Sequence, residues 1–536
     1  MEQEQAEQSW WRGAVIYQIY PRSYFDSNGD GIGDLPGITG KLSYIASLGV
    51  AGIWISPFFT SPMKDFGYDV SAYCDVDPIF GTLADFDRLI EEAHALGLKV
   101  VIDQVMSHTS DAHAWFAESR QDRTNDKAEW YVWRDARPDG TPPNNWQAVF
   151  GGAAWTWDAR RQQYYMHNFL SEQPQLNLHN SEVQDALLAA SRFWLERGVD
   201  GFRLDAINFS MFDPAFRDNP AWEIGDRTIT RPFDMQHHVN NQSHPNIPLY
   251  LERVRALTDE FGAVFTVAEV AGPNPLPEMR AFTEGDSRLN SAYNFDFLYA
   301  STLTPGRVRR AQSNWTGPVE EGWPSWAFSN HDAPRCVSRW YGGTDRNRFA
   351  KLTNALLLCL RGNPILYQGE ELGLPQAEVP FEKLQDPEAI ANWPLTLGRD
   401  GARTPMPWVS GAPEGGFTTA TPWLPMGKGH LEAAVDVQDA DHASVLNFTR
   451  RLLGVRGASR ALITGDIAFE DVEAPLLALW RSSGDESLLC IFNLGEAPQP
   501  RPSCMPTNAD ALLTSGWHEG DMTGSVPEYS VWIGRV

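Results

Sequence analysis

The feature that most constrains the fold is an alternation of short apolar runs with helical stretches near the start of the chain. Runs rich in β-branched residues occupy 13–20, 51–56 and 98–105, and the segments 37–49 and 85–97 have helical periodicity. Strands that are apolar along their whole length are typical of a parallel sheet covered by helices. The pattern therefore predicts repeated strand–helix units around a parallel sheet.

The alternation stops at residue 106 and then resumes. The segment 106–178 is rich in Trp, Asn, Pro and Gly, and we interpret it as an irregular inserted subdomain that shapes a pocket. Beyond it a helix is predicted at 181–197. Further strands are predicted at 199–205, 263–270, 325–330 and 364–371. Strand–helix units with one large insertion, after the third strand, predict a (β/α)8 barrel, or TIM barrel, formed by residues 1–105 and 179–457.

The last part of the chain has a different pattern. After a helix predicted at 444–457, short strand candidates lie at 476–481, 487–494 and 529–534, with no helix between them. Consecutive strands without helical crossovers are typical of antiparallel sheets. We therefore predict a separate C-terminal antiparallel β-sandwich domain at 458–536.

The net charge disfavours several classes of partner. The 536-residue chain has 43 Lys and Arg against 69 Asp and Glu, which gives a net charge of −26. A surface of this sign repels nucleic-acid backbones and anionic membranes, so a small neutral substrate is favoured over both. The 21 tryptophans leave two interpretations open, which are packing in the core and stacking against sugar rings.

Cysteine usage and the N-terminus predict a cytoplasmic protein. Five scattered cysteines without a CxxC pair indicate neither a disulfide framework nor a zinc site. The first 13 residues lack the basic and apolar regions of a signal peptide, and no apolar run reaches the length of about 18 residues that a membrane span needs. The sequence leaves open whether the protein is a monomer or a homodimer.

Six polar side chains follow predicted strands, where a barrel of this kind carries its active site. They are His108, Arg203, Asp205, Glu269, His331 and Asp332. Arg203 and Asp205 are two residues apart, so on a strand both side chains point to the same face. A guanidinium group favours the charged form of a neighbouring carboxylate, as a nucleophile requires, but a plain structural ion pair explains the same two residues.

Glu269 and Asp332, taken singly, also have two interpretations. Glu269 ends an apolar strand and is either a proton donor or a solvated loop residue. Asp332 follows a strand in the segment SNHD and is either a functional carboxylate or the N-cap of the next helix. The combination of the six residues is far more specific than any one of them.

With these residues the sequence resembles glycoside hydrolase family 13, the α-amylase family. The matching motifs are DQVMSH (103–108), DGFRLD (200–205), AEV (268–270) and SNHD (329–332). Other segments look like the branch of α-glucosidases, oligo-1,6-glucosidases and sucrose hydrolases. They lie at 10–38, 66–70, 173–177, 367–373 and 398–408. The resemblance extends from about residue 10 to residue 455.

The resemblance implies a retaining glycosidase mechanism. Asp205 would be the nucleophile that forms a covalent β-glucosyl ester, and Glu269 the general acid and base. Asp332 would be a third carboxylate that binds sugar hydroxyl groups. Retaining pairs have carboxyl groups roughly 5–5.5 Å apart, and we expect that separation between Asp205 and Glu269. If an acceptor alcohol replaces water at the ester, the same residues give an α-glucosyltransferase, which is the alternative function.

The resemblance also implies a pocket for one terminal glucose. Asp65 and Arg403 match a pair that closes the pocket behind the sugar, and Tyr68 matches a tyrosine that stacks on it. His108 and His331 match hydroxyl donors around the same ring. A closed pocket implies that single glucose units are removed from the ends of short α-glucosides, such as maltose-type sugars or sucrose.

Two departures bear on specificity. Ala206 follows the nucleophile where α-1,6-specific relatives usually have Val, and the smaller side chain favours α-1,4 bonds or sucrose. The segment 333–343 lacks the charged loop of sucrose isomerases, which disfavours isomerisation.

Catalytically inactive relatives that act as transporter partners have lost the acids and carry a membrane span, so that non-enzymatic alternative is disfavoured as well.

The segment DSNGDGIGD (26–34) is a candidate metal site. It spaces oxygen ligands suited to a hard cation at Asp26, Asn28, Asp30, Ile32 (through its carbonyl) and Asp34. Gly37 occupies the position of the EF-hand glutamate, and a turn without an ion is the alternative. The resemblance favours a structural Ca²⁺ or Mg²⁺ ion, and it implies no organic cofactor.

Overall fold

The computed structural model describes residues 9–223, 225, 229–272, 274–315, 322–343, 345–396, 398–506, 510–517 and 524–536. Residues 1–8, on which the signal-peptide prediction partly depends, lie outside these ranges. Among the described residues, no helix is both long and apolar enough to cross a membrane. The five cysteines all lie in the described part and are free thiols.

Eight parallel strands form the barrel. They are β1 (Ile16–Ile19), β2 (Gly52–Ile55), β3 (Lys99–Val105), β4 (Gly201–Asp205), β5 (Phe265–Val270), β6 (Ser291–Asn294), β7 (Ser325–Ala327) and β8 (Asn363–Tyr367). Neighbours in the sheet follow the order β6, β5, β4, β3, β2, β1, β8, β7. The Ser291 hydroxyl connects the two ends of this order, because it lies 2.7 Å from the Ser325 hydroxyl and donates to the Trp323 carbonyl at 2.8 Å. The predicted (β/α)8 barrel is confirmed.

Burial explains why the sequence reveals most of these strands. Every residue of β1, β2, β5 and β8 is buried, as expected for strands covered on both sides. No strand is predicted at β6 from the sequence, because its segment, SAYN, is too short and too polar to form a distinct apolar run. Two further short strands, Phe59–Thr60 and Ala72–Val76, pair with each other outside the barrel.

Most of the α-helices lie between successive barrel strands in the chain. The α-helices are Leu35–Thr39, Leu42–Leu48, Leu83–Ala95, Ala114–Ser119, Ser181–Glu196, Ile247–Asp259, Pro275–Thr283, Pro305–Ser313, Cys336–Trp340, Arg346–Cys359, Pro387–Asn392, Val435–Ala440, Val445–Gly457 and Arg460–Ile463. Short 3-10 helices lie at Pro21–Ser23, Ile207–Phe209, Pro232–Met235, Phe381–Lys383, Asp400–Ala402, Pro413–Gly416 and Leu431–Ala433. The helix predicted at 37–49 is in fact two helices, which Gly40 and Lys41 separate.

The segment between β3 and β4 contains more regular structure than its composition predicts. Strands Trp133–Arg134, Trp155–Asp158 and Gln163–Met166 form a small antiparallel sheet. Buried Arg161 connects this sheet to the preceding loop by donating to the Ala128 carbonyl at 2.9 Å. Strands of two to four residues are too short for periodicity to reveal them in the sequence.

The C-terminal domain is antiparallel, as predicted. Its strands are β9 (Asp466–Phe469), β10 (Leu476–Ser483), β11 (Glu486–Asn493), β12 (Asp510–Ser515) and β13 (Val531–Arg535). In the part of the domain that the structure describes, they form one five-stranded sheet in the order β9, β10, β11, β13, β12. The buried Arg481 guanidinium joins this sheet to the barrel, because it donates to the carbonyls of Cys359 and Leu360 at 2.7 and 3.0 Å.

Candidate active site

The carboxyl ends of the central barrel strands open into a cavity of about 560 Å³. Asp205, Glu269 and Asp332 all line this cavity. Sheet register contributes directly, because Asp103 on β3 is level with Arg203 on β4. Residues that are far apart in the sequence therefore meet in one cluster, at the end of the barrel where (β/α)8 enzymes carry their active sites.

Arg203 is the centre of this cluster. Its side chain is completely buried, and Nη1 lies 2.6 Å from both Asp205 Oδ1 and Asp103 Oδ1. Nη2 lies 2.6 Å from Glu269 Oε1. One guanidinium group thus bridges the predicted nucleophile and the predicted proton donor. A plain Arg–Asp ion pair, the alternative drawn from the sequence, does not account for the contact with Glu269.

The pKa of Asp205 is raised well above the usual value for aspartate. Burial is the largest cause, Glu269 and Asp103 add to it by charge repulsion, and Arg203 opposes the shift without reversing it. Burial likewise raises the pKa of Asp103 to about 6, against the lowering effect of Arg203. The expectation that Arg203 simply keeps Asp205 charged is therefore incomplete, because the single positive charge of Arg203 is shared among three carboxylates.

Glu269 has more polar contacts than its apolar strand predicts. Its Oε1 accepts a hydrogen bond from the Tyr293 hydroxyl at 3.1 Å, in addition to the contact with Arg203, and its Oε2 accepts from the Ala206 N–H at 3.1 Å. The side chain is only 6% exposed, which excludes a solvated loop residue. Ala206 adopts φ 39° and ψ 41°, a left-handed conformation that is uncommon for residues other than glycine and often occurs at active sites.

Asp332 lies among a second group of cations. Its Oδ1 is 2.6 Å from Arg403 Nη2 and 3.5 Å from Arg399 Nη1, and its Oδ2 is 3.2 Å from His331 Nε2. Burial opposes the effect of these neighbours, but His331 and the two arginines together hold the pKa of Asp332 well below its usual range. Burial lowers the pKa of His331 to about 3, so at neutral pH the imidazole is neutral and the two arginines supply the positive charge beside Asp332.

The structure corrects one pair that the resemblance implied. Asp65 contacts Arg399, with 2.9 Å between Oδ1 and Nη2, and its expected partner Arg403 contacts the acid described above instead. Arg399 also lies 2.7 Å from Asp386 Oδ1. The two arginines are separated by the 3-10 helix Asp400–Ala402. Sequence alone does not reveal which arginine reaches which acid, because this turn sets their directions.

Tyr68 and the two predicted histidines are hydrogen-bonded together. The Tyr68 ring stacks on the His331 ring, with centroids 5.5 Å apart and planes 8° apart, and its hydroxyl contacts His331 Nε2. His108 Nε2 lies 3.1 Å from the Tyr68 carbonyl. Burial lowers the pKa of His108 to about 4, so its neutral ring has one nitrogen that donates and one that accepts. Stacking of Tyr68 on glucose stays a prediction.

The predicted substrate-binding residues fall into two groups. Asp65, Tyr68 and His108 line the cavity. Arg203, His331 and Arg403 contact the carboxylates of the cavity instead of lining it. The second group therefore influences the charge and orientation of the acids, and a direct role of these three side chains in substrate binding stays a prediction.

Three residues of the site are not selected from the sequence. Asp103 begins the segment DQVMSH and lies on a strand, and its match with a family motif is a usable signal. Arg399 stands in the segment GRDGAR, four residues before Arg403. Tyr293 lies on the strand that the sequence does not reveal, and no motif marks it.

The outer part of the cavity is apolar. Two of its exposed residues are Tyr299, at 55% exposure, and Leu395, at 62%. Arg231 and Glu388 form an ion pair there, with 2.9 Å between Nη1 and Oε1. Other apolar side chains that line the cavity are Val149, Phe150, Phe169, Phe209, Phe233 and Phe295. Such surfaces suit the flat faces of sugar rings and of other ring compounds.

The loop 26–34 is folded by its own hydrogen bonds. The Asp26 carboxylate accepts from the N–H groups of Gly29 and Gly31 at 2.7 and 2.8 Å. Asp34 Oδ1 accepts from the Gly37 N–H at 2.6 Å and thereby caps the helix Leu35–Thr39. These contacts alone are sufficient to shape a turn.

The remaining predicted ligands of the loop follow the same pattern. Asn28 Oδ1 accepts from the Asp30 N–H at 2.9 Å, and Asp30 Oδ1 accepts from the Ile32 N–H at 2.8 Å. Across the described residues, no group of three or more His, Cys, Asp or Glu side chains is arranged to hold a metal ion. The oxygen donors are of the type that Ca²⁺ and Mg²⁺ prefer, so the ion stays a prediction.

Comparison with known proteins gives relatives over nearly the whole chain. The family model for the α-amylase catalytic domain matches residues 18–465. A probable alpha-glucosidase of Rhizobium meliloti (strain 1021) is 55% identical over 497 residues, which are 91% of this chain and 90% of the relative. An oligo-1,6-glucosidase of Heyndrickxia coagulans is 37% identical over 525 residues, 91% of this chain and 92% of that protein.

Solved structures agree with these matches. The crystal structure of an alpha-glucosyl transfer enzyme, XgtA, has 51% sequence identity and a TM-score of 0.93, and the similarity covers 98% of this chain and 99% of XgtA. The trehalulose synthase MutB from Pseudomonas mesoacidophila MX-45 has 31% identity and a TM-score of 0.89, with 98% and 99% covered. The chain is therefore an enzyme of glycoside hydrolase family 13, the α-amylase family, in the branch of the α-glucosidases and oligo-1,6-glucosidases.

Proposed function

We propose that the protein is a retaining, exo-acting α-glucosidase that removes terminal glucose from short α-glucosides. The observation that carries the proposal is the bridge made by Arg203. Its guanidinium group contacts Asp205 through Nη1 and Glu269 through Nη2, each at 2.6 Å. The bridge supports a pair of acids that act on the same anomeric carbon, because both are held at adjacent nitrogens of one rigid group.

The proposed reaction has two displacements. Asp205 attacks C1 of glucose and forms a β-glucosyl ester while Glu269 protonates the leaving oxygen. Glu269 then takes a proton from water, which attacks the ester and releases glucose with its α configuration retained. The pair should have the carboxyl separation of roughly 5–5.5 Å that this mechanism requires.

The charged wall of the cavity supports exo action on a neutral sugar. Asp65 and Asp386 share Arg399, and Asp332 contacts Arg403, so charged groups crowd this side of the cavity. Carboxylates and guanidinium groups in fixed positions are suited to hydrogen-bond the hydroxyl groups of a terminal glucose. A longer chain would have to displace these ion pairs to pass through the site.

Substitution of the two acids tests the mechanism. Asp205→Asn and Glu269→Gln should each lower glucose release from maltose by about a thousand-fold or more, because each removes a group that takes part in the chemical step. Asp158→Asn is a control outside the cavity that also breaks an ion pair, with Arg120, and should stay near wild type. Near-normal turnover in both site variants would contradict the proposal, and so would β-glucose as the first product seen by NMR.

The substrate is proposed to be of the maltose type, or sucrose. Ala206 lines the cavity beside the nucleophile, and its single methyl group leaves space that a branched side chain would fill. Glucose release from maltose, sucrose and isomaltose should therefore be lowest for isomaltose. A clear preference for isomaltose would contradict this part of the proposal.

Transfer of glucose to an acceptor is the second candidate function. It is favoured by 51% identity to a structure described as an alpha-glucosyl transfer enzyme, and by the apolar opening of the cavity. The covalent ester is the same in both reactions, and the outcome depends on whether water or an alcohol attacks it. Incubation with maltose and an aromatic alcohol separates them, because a transferase yields the alcohol's glucoside in excess over free glucose from the ester.

We further propose that the loop 26–34 binds a structural Ca²⁺ or Mg²⁺ ion through the oxygens of Asp26, Asn28, Asp30, Ile32 and Asp34. The ion would neutralise the charge of the carboxylates in a loop next to the first barrel strand. Calorimetric titration of the protein, after treatment with a chelator, with each cation tests this directly. The variant Asp30→Asn should bind the cation more weakly than the wild type. If the wild type binds neither cation, the proposal is contradicted and the loop is a turn without an ion.

A further inference from the structure

Tyr293 is a buried polar residue that none of the roles above uses. It lies on β6, level with Glu269 on β5, and it is 1% exposed. Its ring lies 6.4 Å from that of Trp54, within an apolar cluster that includes Val267 and Trp323. Apolar packing therefore fixes the ring, and the hydroxyl group reaches the acidic cluster.

The hydroxyl group connects two members of that cluster. It donates to Glu269 Oε1 at 3.1 Å and accepts from Arg203 Nε at 3.1 Å. Burial raises the pKa of Tyr293 well above its usual value, so the phenol keeps the proton that it donates. Arg203 Nη2 lies 2.6 Å from the same Oε1, in an ion contact that lacks hydrogen-bond geometry. The Tyr293 hydroxyl therefore occupies one acceptor position of Oε1, and the positive charge of Arg203 beside this oxygen disfavours a proton on it.

The other oxygen of Glu269 is less crowded. Oε2 accepts one hydrogen bond, from the Ala206 N–H at 3.1 Å, and its second acceptor position is available to a proton. We propose that Tyr293 is a positioning residue for Glu269 that binds Oε1 beside the positive charge of Arg203 and so confines the catalytic proton to Oε2. This inference rests on the proposed role of Glu269 as acid and base, and it is independent of which sugar is cleaved.

Each half-reaction uses this arrangement. In the first, the proton on Oε2 passes to the glycosidic oxygen as the bond to C1 breaks and Asp205 bonds to C1. In the second, Oε2 takes a proton from water, and the oxygen of that water bonds to C1 as the ester bond to Asp205 breaks. Hydrogen bonds donated to a carboxylate favour its charged form. Tyr293 therefore helps Glu269 to release its proton in the first step and to remain charged until the second.

Several other titratable groups face Glu269. They are Arg203 and Asp205 from β4, Asp103 from β3, and Asp332 and Tyr299 from the walls of the cavity. Removal of the Tyr293 hydroxyl leaves all of them in place. A change in pH dependence after that substitution therefore reports on the loss of the two hydrogen bonds of this hydroxyl, to Glu269 Oε1 and from Arg203 Nε.

The substitution Tyr293→Phe deletes only the hydroxyl group and tests the inference. With maltose as substrate, kcat should fall about ten-fold, and KM should stay near wild type because Tyr293 does not line the cavity. The basic limb of the kcat/KM profile should move to higher pH by about one unit, because Glu269 keeps its proton longer without this donor. A purely structural role would lower the melting temperature without moving that limb.

A second variant keeps the test decisive if Tyr293→Phe does not fold. Site-specific 3-fluorotyrosine at position 293 is a more acidic phenol, and it should move the basic limb to lower pH. Tyr250→Phe is the matched control, because that buried hydroxyl donates to Met106 Sδ, outside the acidic cluster, and its loss should leave the profile unchanged.

The outcomes separate this inference from the proposed function. If Tyr293→Phe folds normally and its basic limb is unchanged or moves to lower pH, the inference is overturned. If Glu269→Gln keeps near-normal turnover, the proposed function itself is overturned, whatever the behaviour of Tyr293→Phe. Loss of activity in Glu269→Gln together with an upward shift in Tyr293→Phe supports both.

Discussion

Replacement of Arg203 by lysine is the most informative perturbation of the acidic cluster. The guanidinium group contacts Asp103 and Asp205 through one nitrogen and Glu269 through the other, each at 2.6 Å, and it is completely buried. A lysine ammonium keeps the positive charge but has a single nitrogen, so it cannot reproduce the fork that joins the acids of β4 and β5.

The expected size of the effect follows from these contacts. A hydrogen bond to a charged group contributes roughly 1.5–3 kcal/mol. If lysine preserves one of the two hydrogen bonds to Asp103 and Asp205 and loses the ion contact with Glu269, kcat/KM should fall about 10-fold or more, provided that these contacts support the transition state. Weaker contacts within a buried ion-pair network also lower stability, so folding must be measured in parallel.

The pH dependence distinguishes this reasoning from general damage. Asp205 has to be deprotonated in order to attack, its pKa is already raised by burial, and Arg203 is the cation that opposes the rise. Arg203→Lys weakens that opposition, so the pKa of Asp205 should rise further and the acid limb of kcat/KM should move to higher pH. Arg120→Lys is the matched control, because it alters an arginine that contacts Asp158 outside the cavity. A fall in activity with an unmoved acid limb would refute the argument.

Three further outcomes are expected. Arg399→Lys should raise KM for maltose about ten-fold with a smaller effect on kcat, because Arg399 holds Asp65 and Asp386 in place; steady-state kinetics check this, and an unchanged KM would contradict it. Ala206→Val should lower the free energy of unfolding by about 1–3 kcal/mol, because φ is 39° there; denaturant unfolding measures this, and an unchanged value would count against backbone strain. Removal of divalent cations with a chelator should lower the melting temperature, and added Ca²⁺ or Mg²⁺ should restore it; an unchanged melting temperature would favour a turn without an ion.

The sequence predicts the barrel well because its strands are locally distinctive. Strands such as β1, β2 and β5 are buried along their whole length and appear as uninterrupted apolar runs. In contrast, β6 is four residues long with the sequence SAYN, and local composition does not mark it. Tyr293 lies on this strand, so the sequence does not mark it as a site residue, although it donates a hydrogen bond to Glu269.

The partners of the charged residues are harder to predict than their positions. Arg399 and Arg403 stand in the same segment, and either is plausible as the partner of Asp65 from the sequence. In the structure Arg399 takes that place, and Arg403 contacts Asp332. An arginine side chain is long enough to reach several acids, so the backbone turn between the two arginines decides the pairing.

By itself, the amino-acid sequence determined the fold class, the family and the identity of the strand-end acids, because these depend on local periodicity and short motifs. Only the tertiary structure decided how those acids share their cations and in which direction the pKa of Asp205 moves. The physical reason is that burial and charge interactions sum over neighbours from many parts of the chain. Asp205, for example, responds to Arg203 on its own strand and to Glu269 and Asp103 on the two adjacent strands.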